Sequence, residues 1–218
     1  MRARGLLIIG VSAVAASVLI GVAGVASGWM SVWPMGARGE MMGAVFNGGG
    51  RDIGIDSAVK IAQNVASSYP TGGLAADEVI EFSNNYYASI REKSSGIGAF
   101  EILIDRSSGS VVREPGPDMM WNVKYSVMGA GMMGSYRFGG SGPMSVTPKQ
   151  ARDTAQQWLD ANQPGTTARS ADPFYGYYTV DFDKAGRLVG MLSVNGYTDQ
   201  VWFHTWHGSF IQIRDLGA

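Results

Sequence analysis

The residues best suited to chemistry are thioethers. The stretch "MMWNVKYSVMGAGMMG", residues 119–134, carries Met119, Met120, Met128, Met132 and Met133. Thioether sulfur is a soft ligand that suits Cu(I) and works without thiols, so extracytoplasmic copper handling is one function to weigh. Methionine also fills irregular apolar gaps, and the same stretch would then be a strap packed over its neighbours. Trp121, Val123 and Tyr125 alternate as an edge strand would, which favours the strap. The histidines are His204 and His207, in "VWFHTWHG". If this segment is a strand, residues 202, 204 and 206 share one face. His204 then stands between Trp202 and Trp206 and is a metal candidate, while His207 points the other way. Chelation by both needs a break in the strand, such as Gly208 permits. A ring flanked by aromatics is otherwise a packed one.

Other templates fail. Gly129, Gly131 and Gly134 spell G-x-G-x-x-G, but "SYRFGGSGP" follows and cannot open the helix that would meet a pyrophosphate, so no nucleotide is expected. There is no H-E-x-x-H, and "GGSGP" (139–143) ends in proline where a nucleophile elbow needs glycine. Cysteine is absent, which removes disulfides, thiolate metal sites and a cysteine nucleophile together. The formal net charge of −1 carries no footprint for nucleic acid. The expectation is a protein that is not an enzyme, the alternative being an enzyme whose site assembles in space from residues that no motif marks.

The elements that hold these residues begin with a membrane signal. After Arg2 and Arg4, Leu6 to Ser27 contains no charged residue. That run of about 22 residues, at 1.5 Å each, crosses a hydrocarbon core of roughly 30 Å. Trp29 and Trp33 follow where an interfacial belt would lie. The length favours a retained single-pass anchor (1–28) over a cleaved signal peptide, with the N-terminus cytoplasmic and the rest exported. Residues 29–51, rich in Gly and Met, read as a tether.

Beyond the tether the chain repeats itself. "IGIDSAVKIAQNVA" from Ile53 aligns with "VTPKQARDTAQQWL" from Val146. Ala58, Ala62, Val65 and Ala66 match Ala151, Ala155, Trp158 and Leu159, each set on one helical face. Thr147 is a candidate N-cap, with Pro148 at N1 and Gln150 closing a capping box. "NNYYASIRE" (84–92) aligns with "YGYYTVDFD" (175–183), and "FEILIDRSSGSVV" (100–112) with "GMLSVNGYTDQVW" (190–202). Asp105 and Asn195 start the tight turns, and Gly109 and Asp199 take positive φ. The expected fold class is α+β: two small units, each one helix packed on an antiparallel sheet, after an N-terminal transmembrane helix. The units span 52–114 and 144–218, joined by the Met/Gly-rich strap 115–143.

The "IDSAVKIA" helix, the Tyr-rich strand and the strand ending "ILIDRSSGSVV" resemble the PepSY domain. The resemblance covers residues 52–114 well and 144–214 more loosely, since "VNGYTDQVW" departs from the turn motif. It implies a binding or inhibitory module outside the cytoplasm, with no catalytic residues to transfer. The expected function is therefore the binding or regulation of an exported peptidase or a membrane protein complex. Tyr177, Tyr178, Trp202 and Trp206 are the candidate partner-binding aromatics, because exposed rings make good anchors. The competing reading makes them the core beneath the second helix, with one of the two adjacent tyrosines facing out.

Overall fold

The computed structural model describes residues 51–126 and 142–217, all within one compact unit. Residues 1–50, with the expected anchor and tether, lie outside the described residues, as do Met128, Met132 and Met133. Among the described residues no helix is long and apolar enough to cross a membrane.

Both expected helices form on the faces that the spacing dictates. α1 (Ile55–Ser67) buries Ile55, Ala58, Ala62 and Ala66. A four-residue helix, α2 (Pro117–Met120), follows much later in the chain, and then α3 (Pro148–Asn162) buries Ala151, Ala155 and Leu159. The start of α3 is fixed by Thr147, whose hydroxyl accepts from the Gln150 amide while the Gln150 side chain bonds back to the Thr147 amide. Such a reciprocal cap satisfies two of the donors that a helix start leaves unpaired.

Each long helix precedes four strands. After α1 come β1 (Leu74–Phe82), β2 (Tyr86–Glu92), β3 (Gly98–Ile104) and β4 (Val111–Arg113). After α3 come β5 (Thr167–Phe174), β6 (Tyr177–Lys184), β7 (Arg187–Asn195) and β8 (Val201–Phe203), and β9 (Phe210–Asp215) closes the chain's strand order. The β3–β4 and β7–β8 turns use the expected chemistry. Asp105 Oδ1 accepts from the amides of Ser107 and Ser108 at 3.0 and 2.7 Å. Asn195 Oδ1 accepts from Tyr197 and Thr198 at 2.9 and 3.1 Å. Gly109 and Asp199 hold φ of 70° and 58°.

The expectation of two separate small sheets is corrected by the topology. All nine strands belong to one mixed sheet, in the order β8-β7-β6-β5-β3-β2-β1-β9, with β4 branching from β3. The halves are joined twice, by a single parallel pairing of Gly98 with Phe174 and by the antiparallel ladder between β1 and β9. The Phe174 ring lies so close that a Cβ at position 98 would meet it at 2.4 Å, so only glycine allows this contact.

Each helix covers the outer face of its own half. α1 packs on Val79, Tyr86, Ala88, Ile90, Phe100 and Ile102, and α3 packs on Tyr178, Val180, Phe182, Leu192 and Val194. The inner faces meet each other: Ile80, Phe82, Tyr87 and Leu103 of the first half pack with Leu188 and Met191 of β7. The sheet must curl for strands so distant in its order to touch, and both of its faces are consequently buried. Ala62 and Ala155 have no exposed surface, so helix and sheet approach too closely for a longer side chain. Ala62→Leu and Ala155→Leu are each expected to destabilise by roughly 1–3 kcal/mol through overpacking, read by urea denaturation. Full tolerance of both would contradict this packing.

Candidate functional site

The interior between the two sheet halves holds a chain of charged and polar groups. The short helix α2, opened by Pro117, buries Asp118 completely. Arg113, at the end of β4, binds it through both forks: Nε to Oδ2 at 2.6 Å and Nη2 to Oδ1 at 2.9 Å. Asp118 Oδ1 also accepts from the Glu101 amide at 3.2 Å. Glu101 is itself fully buried on β3 and accepts from Tyr87 at 2.6 Å, Tyr177 at 2.7 Å and Thr179 at 2.7 Å. Burial, with repulsion from Glu114 and Asp118, pushes the Glu101 carboxyl well above its usual range. Burial also raises Asp118, although the Arg113 charge opposes it.

Adjacent to this chain lie Glu114, His204 and His207, all buried. β8 ends at Phe203, so the expected strand through residue 206 does not form and the face assignment made from it fails. The 204–209 segment instead folds onto the β1–β2 turn, where the Asn84 amide donates to the His207 carbonyl at 3.1 Å and the Ser83 amide to Ser209 at 2.8 Å. Gly208 makes the fit possible, with φ of 80° and room for no Cβ, which would meet Ser83 Oγ at 2.2 Å. Both histidines therefore turn inward. His204 Nδ1 and His207 Nε2 are 3.3 Å apart, and Glu114 Oε1 lies 3.4 Å from the first and 3.1 Å from the second. The outward nitrogens are held as well, His204 Nε2 by Ser193 Oγ at 3.0 Å and His207 Nδ1 by Asn85 Oδ1 at 3.1 Å. Burial raises the Glu114 carboxyl, but the two histidines outweigh it and hold the group below the usual carboxylate range. Burial lowers His207.

A second acidic group lines a narrow cleft between the halves, bounded by Asp77, Glu78, Asp172 and Asp181 with Arg91. Burial and the neighbouring carboxylates push Glu78 up to about 8, and burial pushes Asp181 up to about 7 although Arg169 opposes it.

The expected partner-binding aromatics do not form one exposed patch. Tyr177 and Tyr178 are 0% and 3% exposed. They do point to opposite faces, but the curled sheet buries both: Tyr177 bonds Glu101, and Tyr178 donates to the Val146 carbonyl at 2.7 Å. Trp202 and Trp206 are half-buried. Trp202 meets Trp121 edge-on at 5.8 Å, and Trp206 stacks on His204 at 4.7 Å. Of the methionine ligand set, Met119 and Met120 lie on α2 and are half-buried, with Met120 packed against the Trp121–Phe174–Tyr177 cluster. Residues 121–125 form turns after α2 rather than an edge strand, because Asn122 caps the bend by accepting from the Tyr125 amide at 2.7 Å.

The remaining surface feature is an edge. Among the described residues β9 ends the sheet and pairs only with β1. Ile211 and Ile213 on it are 44% and 37% exposed. Neither β9 nor Glu114 was marked by the sequence motifs.

No protein-family model and no curated protein sequence matches the chain. Among solved structures it is similar to the Bacillus megaterium YpeB C-terminal domain, at 11% identity over 70% of this chain with a TM-score of 0.26. The chain spans 62% of the length of that structure.

Proposed function

We propose that this chain is a non-catalytic, PepSY-like binding module, held outside the cytoplasm by its N-terminal apolar run. On this reading it captures an extended segment of an exported or membrane-bound protein partner as a strand added along β9. The observation that carries the reading is the free edge of β9. Its outward backbone groups pair with no described strand, and Ile211 and Ile213 offer apolar contacts beside them. Strand addition draws affinity from main-chain hydrogen bonds and specificity from alternate side chains. A long edge is an aggregation hazard that soluble proteins blunt with charge. Arg214 and Asp215 do so at one end only. Support for tandem PepSY-like units comes from the order of elements, since each long helix is followed by a run of four strands, the second run extended by β9.

The test uses the full chain in membranes of a producing cell, with a photo-crosslinking residue at position 211 or 213. The control position is Lys149, on the exposed face of α3. The same protein should be captured from 211 and 213 and not from 149, and capture should vanish in an Ile211→Asp/Ile213→Asp variant. Equal capture from position 149 would refute docking at β9. A reporter fused after Ala218 should be active only outside the cytoplasm, and cytoplasmic activity would end the exported reading.

A further inference from the structure

We propose that Glu114, His204 and His207 form a closed structural site for one divalent first-row transition ion of the zinc class, which clamps the two sheet halves together. The three facing atoms form a nearly equilateral triangle with sides of 3.1, 3.3 and 3.4 Å. A tetrahedral ion bonded at roughly 2.0–2.1 Å spaces its ligands by about 3.3–3.4 Å. Hydrogen bonds give similar spacings, so the proton inventory has to decide between the two.

That inventory is short. Asn85 donates through Nδ2 to the Trp206 carbonyl at 3.0 Å, which leaves Oδ1 to accept from His207 Nδ1. His207 therefore carries its proton on the outward nitrogen and presents a bare Nε2 lone pair inward. Glu114 Oε1 presents lone pairs to the same point. Trp206 Nε1 donates to Glu114 Oε1 at 3.1 Å, and His204 Nδ1 can supply at most one proton, to His207 Nε2 or to Glu114 Oε1. It supplies none when His204 Nε2 donates to Ser193. The 3.1 Å contact between His207 Nε2 and Glu114 Oε1 then sets two lone pairs together with no proton of their own between them, a repulsion that a cation relieves at low dielectric.

Three further observations agree. Glu114 Oε2 is buried and has no hydrogen-bond partner among the described residues. A buried carboxylate oxygen left bare is costly, and here it is free to complete the coordination or to hold a ligated water. Glu114 is fully buried, and the nearby guanidinium of Arg113 is committed to Asp118, so it does not meet the Glu114 carboxylate. Ser193 and Asn85 fix the outward nitrogens, the arrangement that orients histidine ligands in metal sites. Two imidazoles and a carboxylate, with no sulfur among them, suit zinc-class divalent ions and not Cu(I). Burial of all three ligands leaves no open position for a substrate, so the role is structural. The ligands and their supports come from the β1–β2 turn, the end of β4, β7 and the 204–209 segment. An ion here would draw segments that lie far apart in sequence to one point.

The experiment uses the untagged full chain, whose only imidazoles are His204 and His207. Metal analysis and Co2+ titration should find one equivalent bound, with the intense visible bands of a tetrahedral ion. Two strongly shifted ring N–H proton resonances should appear in the Co2+ form. Saturating Zn2+ should raise the unfolding midpoint and a chelator should lower it. Glu114→Gln keeps the shape and removes the charge, and should weaken Zn2+ binding at least about tenfold. Asn85→Ala should weaken it by roughly 10–100-fold through loss of ligand orientation. Less than about a tenth of an equivalent bound, with a midpoint indifferent to Zn2+ and chelator, would overturn the proposal and leave a hydrogen-bonded network. Unchanged binding in Glu114→Gln would place the ion elsewhere and overturn it equally. Should that variant misfold, the resonances of the unaltered Co2+ protein decide, since their absence excludes histidine ligation.

Discussion

Replacing Arg113 by alanine is expected to destabilise the protein by about 3–5 kcal/mol, the cost of stranding one partner of a buried ion pair. Asp118 has no exposed surface, and its charge is met by the two-pronged contact from Arg113 at 2.6 and 2.9 Å. The guanidinium also donates to the Tyr125 carbonyl at 3.0 Å and lies 4.3 Å over the Phe100 ring. Alanine removes all of these contacts, and the remaining donors to Asp118 at 3.2–3.3 Å come from neutral groups. Lysine should not rescue, because a single ammonium cannot reproduce the planar fork. The penalty should shrink on acidification, since burial already raises Asp118 and protonation removes the stranded charge. The Arg113→Ala/Asp118→Ala double variant should be less destabilised than the sum of its singles. Urea denaturation followed by tryptophan fluorescence measures each value. A loss below about 1 kcal/mol would mean that Asp118 is already neutral in the folded state.

Stability is expected to fall as pH rises from about 5 to 8. Folding raises Glu78 from 4.5 to about 8 and Asp181 from 3.8 to about 7. In the interval between, these two groups bind more protons in the folded state than in the unfolded one and outweigh His207, whose lowered value acts with the opposite sign, so the free energy of unfolding decreases with pH. The contribution is fully present below about pH 4 and is lost as pH passes the folded values. On the acid side the slope reverses. Although burial opposes it, hydrogen bonds from Lys124, Tyr125, Ser95 and Tyr175 lower Glu92 to about 2, so protonation there costs stability. The optimum should therefore be mildly acidic. Glu78→Gln removes the half-buried charge from a cleft that also holds Asp77, Asp172 and Asp181, and should raise stability at pH 8 by roughly 1–3 kcal/mol while leaving pH 4 nearly unchanged. Thermal midpoints across that range measure the effect. A profile for Glu78→Gln that parallels the unaltered protein would show that Glu78 is ionised in the folded state.

Local chemistry was legible wherever one short stretch contains all the interacting groups. Spacings of three and four residues placed Ala58, Ala62 and Ala66, and likewise Ala151, Ala155 and Leu159, on the buried faces. The Thr147–Gln150 cap and the Asp105 and Asn195 turns follow from side chains that reach only two or three residues along the chain. The edge strand expected from Trp121, Val123 and Tyr125 failed, because alternation over so short a run competes with the helix that Pro117 opens and the bend that Asn122 caps. For His204 and His207 the error lay in strand length: β8 stops at Phe203 because the following segment gains more by docking on the β1–β2 turn.

The sequence by itself determined which residues form the two long helices, which face of each is buried, and how the β3–β4 and β7–β8 turns close. These outcomes depend on contacts within a few residues, and residue type and spacing encode such contacts directly. Only the tertiary structure decided that both halves share one sheet, that Tyr177 and Tyr178 are both inside, and that Glu114 meets histidines some ninety positions away. The reason is the curl of the sheet. The halves pair at Gly98 and along β1 and β9, and the curl converts a face that would otherwise meet water into a second interior. Nothing in a local pattern distinguishes a polar residue facing solvent from one facing another polar residue across such an interior. Glu101, Glu114 and Asp118 look like ordinary surface acids until the second half of the chain is laid over them.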